Sequence, residues 1–377
     1  MAILMMDDFR SYPTPEDLLS YNGRGGPWTT FGEVSSVSFR LINNPTWRGD
    51  GSELRALEYR HNSDRNAPQR DFTTAAVPAV CAQFICGVGN STVSYTETCN
   101  FVLFQEPVID KNTATLGMST FYGVSVRAEQ GMPGDVNKVG VYYTILTSTT
   151  SSPSISQVLV GYLRPWTKGR HYHVELKVDH SNPTARIIVY VNGVLEMDAT
   201  YDRDRVDNGL QTKSFKRVLL SGTSPTSSSI YSMATYSNLV IYTDADDTVF
   251  PMGPIDLTAI SPTAGQGYDG LRAAPNADDS TYATVLPGST LNGTFDDLTA
   301  NPNPVLAVDA TVRHQSVAGI EPSQITTRIR KADDTVSGSV TTTAAPGVPA
   351  THRRFRLPAG LTAADVNGLK FQIQAAG

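Results

Sequence analysis

Three groups of residues in this chain have the types and spacing to do chemistry. Asp202, Asp204 and Asp207 precede Gly209, and oxygen ligands spaced like this before a glycine can cage calcium. The EF-hand spacing is not met, however, and Arg203 and Arg205 supply counter-charges, so the other reading is a solvated loop between strands. Glu175 and Asp179 alternate onto one face of the run His171–Asp179. Sugar hydrolysis needs two carboxyl groups across a cleft. Here Lys177 stands between the two acids to neutralise them, and no E-x-D-x-x-E cluster occurs. His171 and His173 share that face and could co-ligate a metal, but no third ligand follows and Arg170 disfavours a cation. They read as surface histidines.

The familiar local signatures of catalysis are missing. There is no G-x-S-x-G, no H-E-x-x-H and no G-x-x-x-x-G-K. The resulting expectation is a non-enzymatic chain with no catalytic residues, no cofactor and no metal. Cys81, Cys86 and Cys99 are an odd set without a C-x-x-C pair, which reads as buried free thiols in strands. Tyr21, Trp28, Trp47 and Tyr59 carry two readings. Exposed, they would stack on sugars or anchor a protein interface; buried, they would fill a large core.

The elements that must position these groups are strands. In His171–Asp179, Val174, Leu176 and Val178 point one way while Glu175, Lys177 and Asp179 point the other, the pattern of a strand with one wet face. Ala185–Val191 is β-branched and almost continuous, a more buried strand. Asn192-Gly193 then predicts a type I′ hairpin turn with positive φ at both residues. Further strands are expected at 34–42, 54–59, 101–104, 120–127, 139–146, 158–163, 217–220 and 239–242, and in the last third at 306–312, 325–330 and 371–373. Helix is confined to single turns after Thr14 and at 362–366. The Ser/Thr-rich stretches 147–154, 221–229 and 337–343 read as loops or hairpin tips. Strands parted by turn signals, with no helices between them, argue for antiparallel sandwiches.

Length and composition bound the rest. The chain has 377 residues, too many for one ordinary domain. All three Trp, all three Cys and all eight Met precede residue 253, where Pro251-Met-Gly-Pro254 reads as a linker. The expected domains are therefore 1–252 and 253–377. Only 18% of residues are charged and the net charge is −6, which suits no duplex nucleic acid partner. No apolar run approaches the roughly 20 residues of a membrane span, so no membrane insertion is expected. Met1–Met6 lacks the basic start of an export signal, which places folding in a cytoplasm.

Several segments resemble concanavalin A-like sandwiches of the lectin and laminin-G superfamily. They are Met6–Tyr12 with Trp28 as a first strand, Trp166–Asp179 running into the hairpin Ile187–Leu195, and Tyr236–Tyr242 as a closing strand that pairs with the first. The chain as a whole, with Tyr268–Tyr282 and Gly293–Leu298 opening a second domain, is similar to virion proteins of tailed bacteriophages. The resemblance implies an all-β protein: a concanavalin A-like jelly-roll sandwich followed by a smaller β-sandwich. It implies a structural component of a phage particle, in the tail, baseplate, collar or fibre apparatus. Such a chain would assemble in the bacterial host cytoplasm, with copies of itself and other virion proteins as partners. The alternatives are a glycan-binding adhesin directed at a host surface glycan and a polysaccharide-cleaving tail enzyme.

Overall fold

The computed structural model describes residues 1–9, 12, 18, 27–29, 39–44, 54–59, 68–88, 98–104, 119–130, 136–148, 153–167, 170–202, 214–221, 234–244, 248–253, 257, 262–265, 285–298, 304–314, 324–343 and 351–377. The chain divides into two compact units, Met1–Phe9 with Trp28–Asp256, and Arg10–Pro27 with Leu257–Gly377.

The first unit is built from β1 (Ala2–Asp7), β2 (Phe39–Asn44), β3 (Leu54–Tyr59), β4 (Gln69–Asp71), β5 (Ala79–Val88), β6 (Thr98–Phe104) and β7 (Ser119–Gln130). It continues with β8 (Val136–Ser148), β9 (Pro153–Thr167), β10 (His171–Asp179), β11 (Thr184–Val191), β12 (Val194–Asp202), β13 (Arg217–Ser221) and β14 (Ala234–Thr243). An eight-stranded sheet runs β12-β11-β10-β5-β14-β3-β2, and a six-stranded sheet runs β4-β13-β6-β7-β8-β9. Every pairing is antiparallel. One side of β14 meets β5; the other is shared by β3 along Ala234–Tyr236 and β1 along Leu239–Thr243. The first strand thus pairs with the closing strand, although β1 ends at Asp7 and does not extend to Tyr12.

The two sheets pack face to face. Val174, Leu176 and Val178 of β10 are fully buried, Phe84 of β5 stacks on Phe101 of β6 and Tyr172 of β10 on Trp166 of β9. At 25 cal/mol/Å², burying such aromatics drives the layers together more than any polar contact does. Asn192 and Gly193 have φ of 51° and 77°, the type I′ turn that matches strand twist. Asn192 also ties the hairpin to β10: its N–H donates to the His173 carbonyl at 2.8 Å, and its Oδ1 accepts from the His173 N–H at 2.9 Å.

The second unit holds β15 (Pro262–Gly265), β16 (Thr290–Phe295), β17 (Asp309–His314), β18 (Gln324–Arg330), β19 (Val336–Thr343), β20 (Thr351–Arg356), α1 (Ala363–Asn367) and β21 (Lys370–Ala375). Its five-stranded sheet runs β15-β16-β21-β18-β19, and β17 pairs with β20 as a two-stranded ribbon. Leu291, Ile329 and Phe371 from the sheet, Leu357 after β20, and Leu361, Val366 and Leu369 around α1 form one core. Thr362 caps α1 reciprocally with Asp365. The Ser/Thr-rich stretch 337–343 lies inside β19, at the edge of the sheet, and is not a loop; Thr and Val are at home on a pleated edge strand.

Candidate functional site

The inner face of β10 is apolar, as its alternation requires. Its outer face is polar, yet it is not wet. His173, Glu175 and Lys177 are 4%, 1% and 4% exposed. Register explains what they meet. Glu175 lies between Gln83 of β5 and Tyr190 of β11, Lys177 lies beside Cys81, and Cys81 lies beside Tyr242 of β14. A buried row of His173, Glu175, Lys177, Gln83, Tyr242 and Asp244 therefore spans three strands. Further along β10, His171 Nε2 lies 3.0 Å from Thr235 Oγ1, and Gly87 leaves room for the His171 ring, which a Cβ there would meet at 2.9 Å.

The cover comes from beyond β14. Asp244 Oδ2 accepts from the Val249 N–H at 3.4 Å, Phe250 packs edge-on against Tyr190, and the Gly253 N–H donates to Glu175 Oε2 at 3.1 Å. The stretch read from the sequence as a linker is thus strapped onto the sheet through Gly253. The expected wet face of β10 is corrected by the same contacts: a strap some 70 residues downstream cannot be seen in a local period.

The electrostatics of the row follow from its burial. Burial pushes the Glu175 carboxyl above its ordinary range, and the amides of Gly253 and Met252 pull it partly back. His173 Nε2 is 2.7 Å from Gln83 Oε1, so that nitrogen carries the proton and Nδ1 faces Glu175 Oε1 at 3.8 Å. Lys177 Nζ is 3.9 Å from Asp244 Oδ2. Burial, and then the charges of Cys81, Glu175 and Asp244, push the Tyr242 hydroxyl far up, so it stays protonated. Glu175 Oε1 and the Tyr242 hydroxyl are buried without a hydrogen-bond partner among the described residues. A carboxyl with a raised pKa, an imidazole and a phenol can move a proton to or from a ligand, or bind its hydroxyls.

The other residues singled out from the sequence do not join this row. Trp28 is fully buried and donates from Nε1 to Asp7 Oδ2 at 3.0 Å, so it serves the core and offers no surface. Trp47 and Tyr21 lie outside the described residues, as does the side chain of Tyr59, whose backbone ends β3. Asp202 is exposed at the end of β12, while Asp204 and Asp207 lie outside the described residues. Among the described residues no group of three His, Cys, Asp or Glu could hold a metal ion. Cys81 and Cys86 are buried in β5 and form no disulfide among the described residues. Gln83, Tyr242 and Asp244 were missed from the sequence. The alternation of Tyr242 and Asp244 at the end of β14 was the one available signal.

No family profile and no curated protein sequence matches the chain. Solved structures do. An alginate lyase matches over 56% of this chain and 86% of its own, at 15% identity and a TM-score of 0.34. A family 131 β-glucanase catalytic domain from Podospora anserina matches over 65% and 97%, at 12% identity and 0.37. The family 66 carbohydrate-binding module from Bacillus subtilis matches over 60% and 98%, at 11% identity and 0.29. The first two are enzymes, and on that finding the expectation of a non-enzymatic chain is corrected. The chain is an all-β protein of antiparallel sheets, similar to carbohydrate-active and carbohydrate-binding sandwiches.

Proposed function

We propose that this chain is a carbohydrate-directed β-sandwich module whose ligand engages the outer face of the eight-stranded sheet. One observation carries the reading: six polar side chains are buried side by side where apolar ones would cover the sheet more cheaply, and two of them keep hydrogen-bonding atoms unused. Burying such groups costs stability unless each is satisfied, and sugar hydroxyls supply both donors and acceptors. The ligand reaches Glu175 when the Gly253 contact opens. A glycan array with the full chain tests this. Binding that falls about tenfold or more in both Glu175→Gln and Tyr242→Phe is expected. Binding unchanged by both substitutions, or no glycan bound, would refute it.

A second reading, cleavage of the bound chain, is favoured by the raised Glu175 carboxyl beside His173 Nδ1. A reducing-end assay between pH 5 and 8 on the glycans that bind decides it. A phage particle is proposed as the setting, supported by the similarity of the chain as a whole, with Tyr268–Tyr282 and Gly293–Leu298 opening a second domain, to virion proteins of tailed bacteriophages. Absence of the chain from purified particles by mass spectrometry would remove that setting.

A further inference from the structure

The second unit carries a surface of a different kind. The inward residues of its five-stranded sheet are Leu291, Ile329 and Phe371. On the opposite face, register aligns Asn292, Gln372, Arg328 and Ser339 across four strands, with Thr290, Gln374, Thr326 and Thr341 as the next row. Lys370 and Arg330 begin a third row. These side chains are exposed or half-buried. In a chain of net charge −6, this face holds two guanidinium groups and an ammonium, and the ammonium is paired with Asp334 at 2.9 Å.

The guanidinium groups are fixed in place and only partly used. Arg328 Nη1 donates to Gln372 Oε1 at 3.2 Å and to Gln374 Oε1 at 2.8 Å. Arg330 Nη2 donates to Gln372 Oε1 at 2.7 Å. Gln372 is held in turn, donating from Nε2 to Asn292 Oδ1 at 3.0 Å. The acceptors are neutral amides, so neither guanidinium charge is neutralised by them. The Arg330 Nε–H has no hydrogen-bond partner among the described residues. The two arginines sit two residues apart on β18, about 7 Å along the strand.

We propose that this face binds a carboxylate-bearing polysaccharide, with Arg328 and Arg330 taking acidic groups and the flanking amides and threonines taking hydroxyls. A guanidinium already oriented by amide carbonyls loses little freedom when it grips a carboxylate, and its fork suits that anion better than an ammonium does. The row of neutral donors and acceptors beside the two charges matches a sugar acid, in which hydroxyls surround each charge. The class of ligand rests on the carbohydrate-directed reading; the placement on the second unit does not depend on the Glu175 row.

Polygalacturonate, a neutral β-glucan and polyphosphate are the probes, measured by calorimetry on the full chain. Polygalacturonate is expected to bind with a salt-dependent affinity that falls about tenfold or more in Arg328→Gln/Arg330→Gln. Arg328→Lys/Arg330→Lys keeps the charge and loses the fork, and is expected to weaken binding as well. Melting curves establish that the variants fold, and Lys331→Gln, an exposed charge removed outside the sheet, controls for net charge. Binding of the neutral glucan with no preference for polygalacturonate would overturn this inference and leave the carbohydrate-directed reading standing. Binding of neither glycan would overturn this inference and leave the carbohydrate-directed reading to the glycan array. Polyphosphate bound as tightly as polygalacturonate would mark a general anion surface and overturn the assignment to a sugar acid.

Discussion

Replacing Gly193 with valine tests how the hairpin places the row. Gly193 has φ of 77°, and a Cβ built on it would have no atom within 4 Å. A clash at Cβ is therefore excluded, and the main cost is conformational. An L-residue in the left-handed region costs roughly 1–2 kcal/mol, and β-branching puts valine at the upper end. For a domain of this size each kcal/mol lowers Tm by about 2–4 °C. The first unit should then melt about 4–8 °C lower in Gly193→Val. Gly193→Asn should lose less than half as much, since asparagine tolerates positive φ. The neighbouring Asn192 holds both backbone groups of His173, so a strained turn should also disturb the His173 end of the row. Calorimetry on the full chain separates the melting of the two units. An unchanged Tm in Gly193→Val, or equal losses for valine and asparagine, would refute the turn as the source of the effect.

Two further outcomes follow from buried carboxyl groups. Burial raises the Glu175 pKa in the folded chain above its ordinary 4.5, so the unfolded chain ionises first as pH rises. Stability is therefore lost upward from about pH 4.5, and Glu175→Gln should match the native chain near pH 4 and exceed it at neutral pH. A difference in melting temperature that stays flat from pH 4 to 8 would count against it. Asp7 is fully buried and accepts from the Phe9 N–H, Trp28 Nε1 and Arg70 Nη1, each at 3.0 Å. Asp7→Ala strands a guanidinium and an indole N–H, at a cost of about 3–5 kcal/mol by denaturant titration. A loss below about 1 kcal/mol would show that β1 is held by its pairing with β14 alone.

Local pattern recovered the parts of the fold whose physics is local. The bounds of β10 and β3 match their expected runs, and β11 starts one residue earlier than expected. The Asn192-Gly193 turn and the single turn at α1 are set by residues within a few positions of one another. The strand β5, Ala79–Val88, is not among the expected runs, although Cys81 and Cys86 within it read as buried thiols in strands. It lies between β10 and β14 and is buried on both faces, so it shows no alternation to detect. Segment 306–312 was read as one strand, but β17 begins only at Asp309. The expected loop at 337–343 lies in β19, whose strand character comes from its pairing with β18.

The candidate site was half legible, and the division follows from how a sheet brings residues together. His173, Glu175 and Lys177 share one strand face, so their alternation was visible along the chain. Their chemistry was misjudged because a row of ions was assumed to meet water. What makes them a site is Gln83 from a strand nearly a hundred residues upstream, Tyr242 and Asp244 from the closing strand, and the Gly253 amide beyond it. Each of those is an unremarkable residue in its own segment. Lys177, read as the group that neutralises Glu175, instead lies 3.9 Å from Asp244, and Glu175 keeps one oxygen unbonded. That exchange of partners turns a solvated charge pattern into a buried carboxyl with a raised pKa, and it is decided by strand register, which no single stretch of the sequence contains.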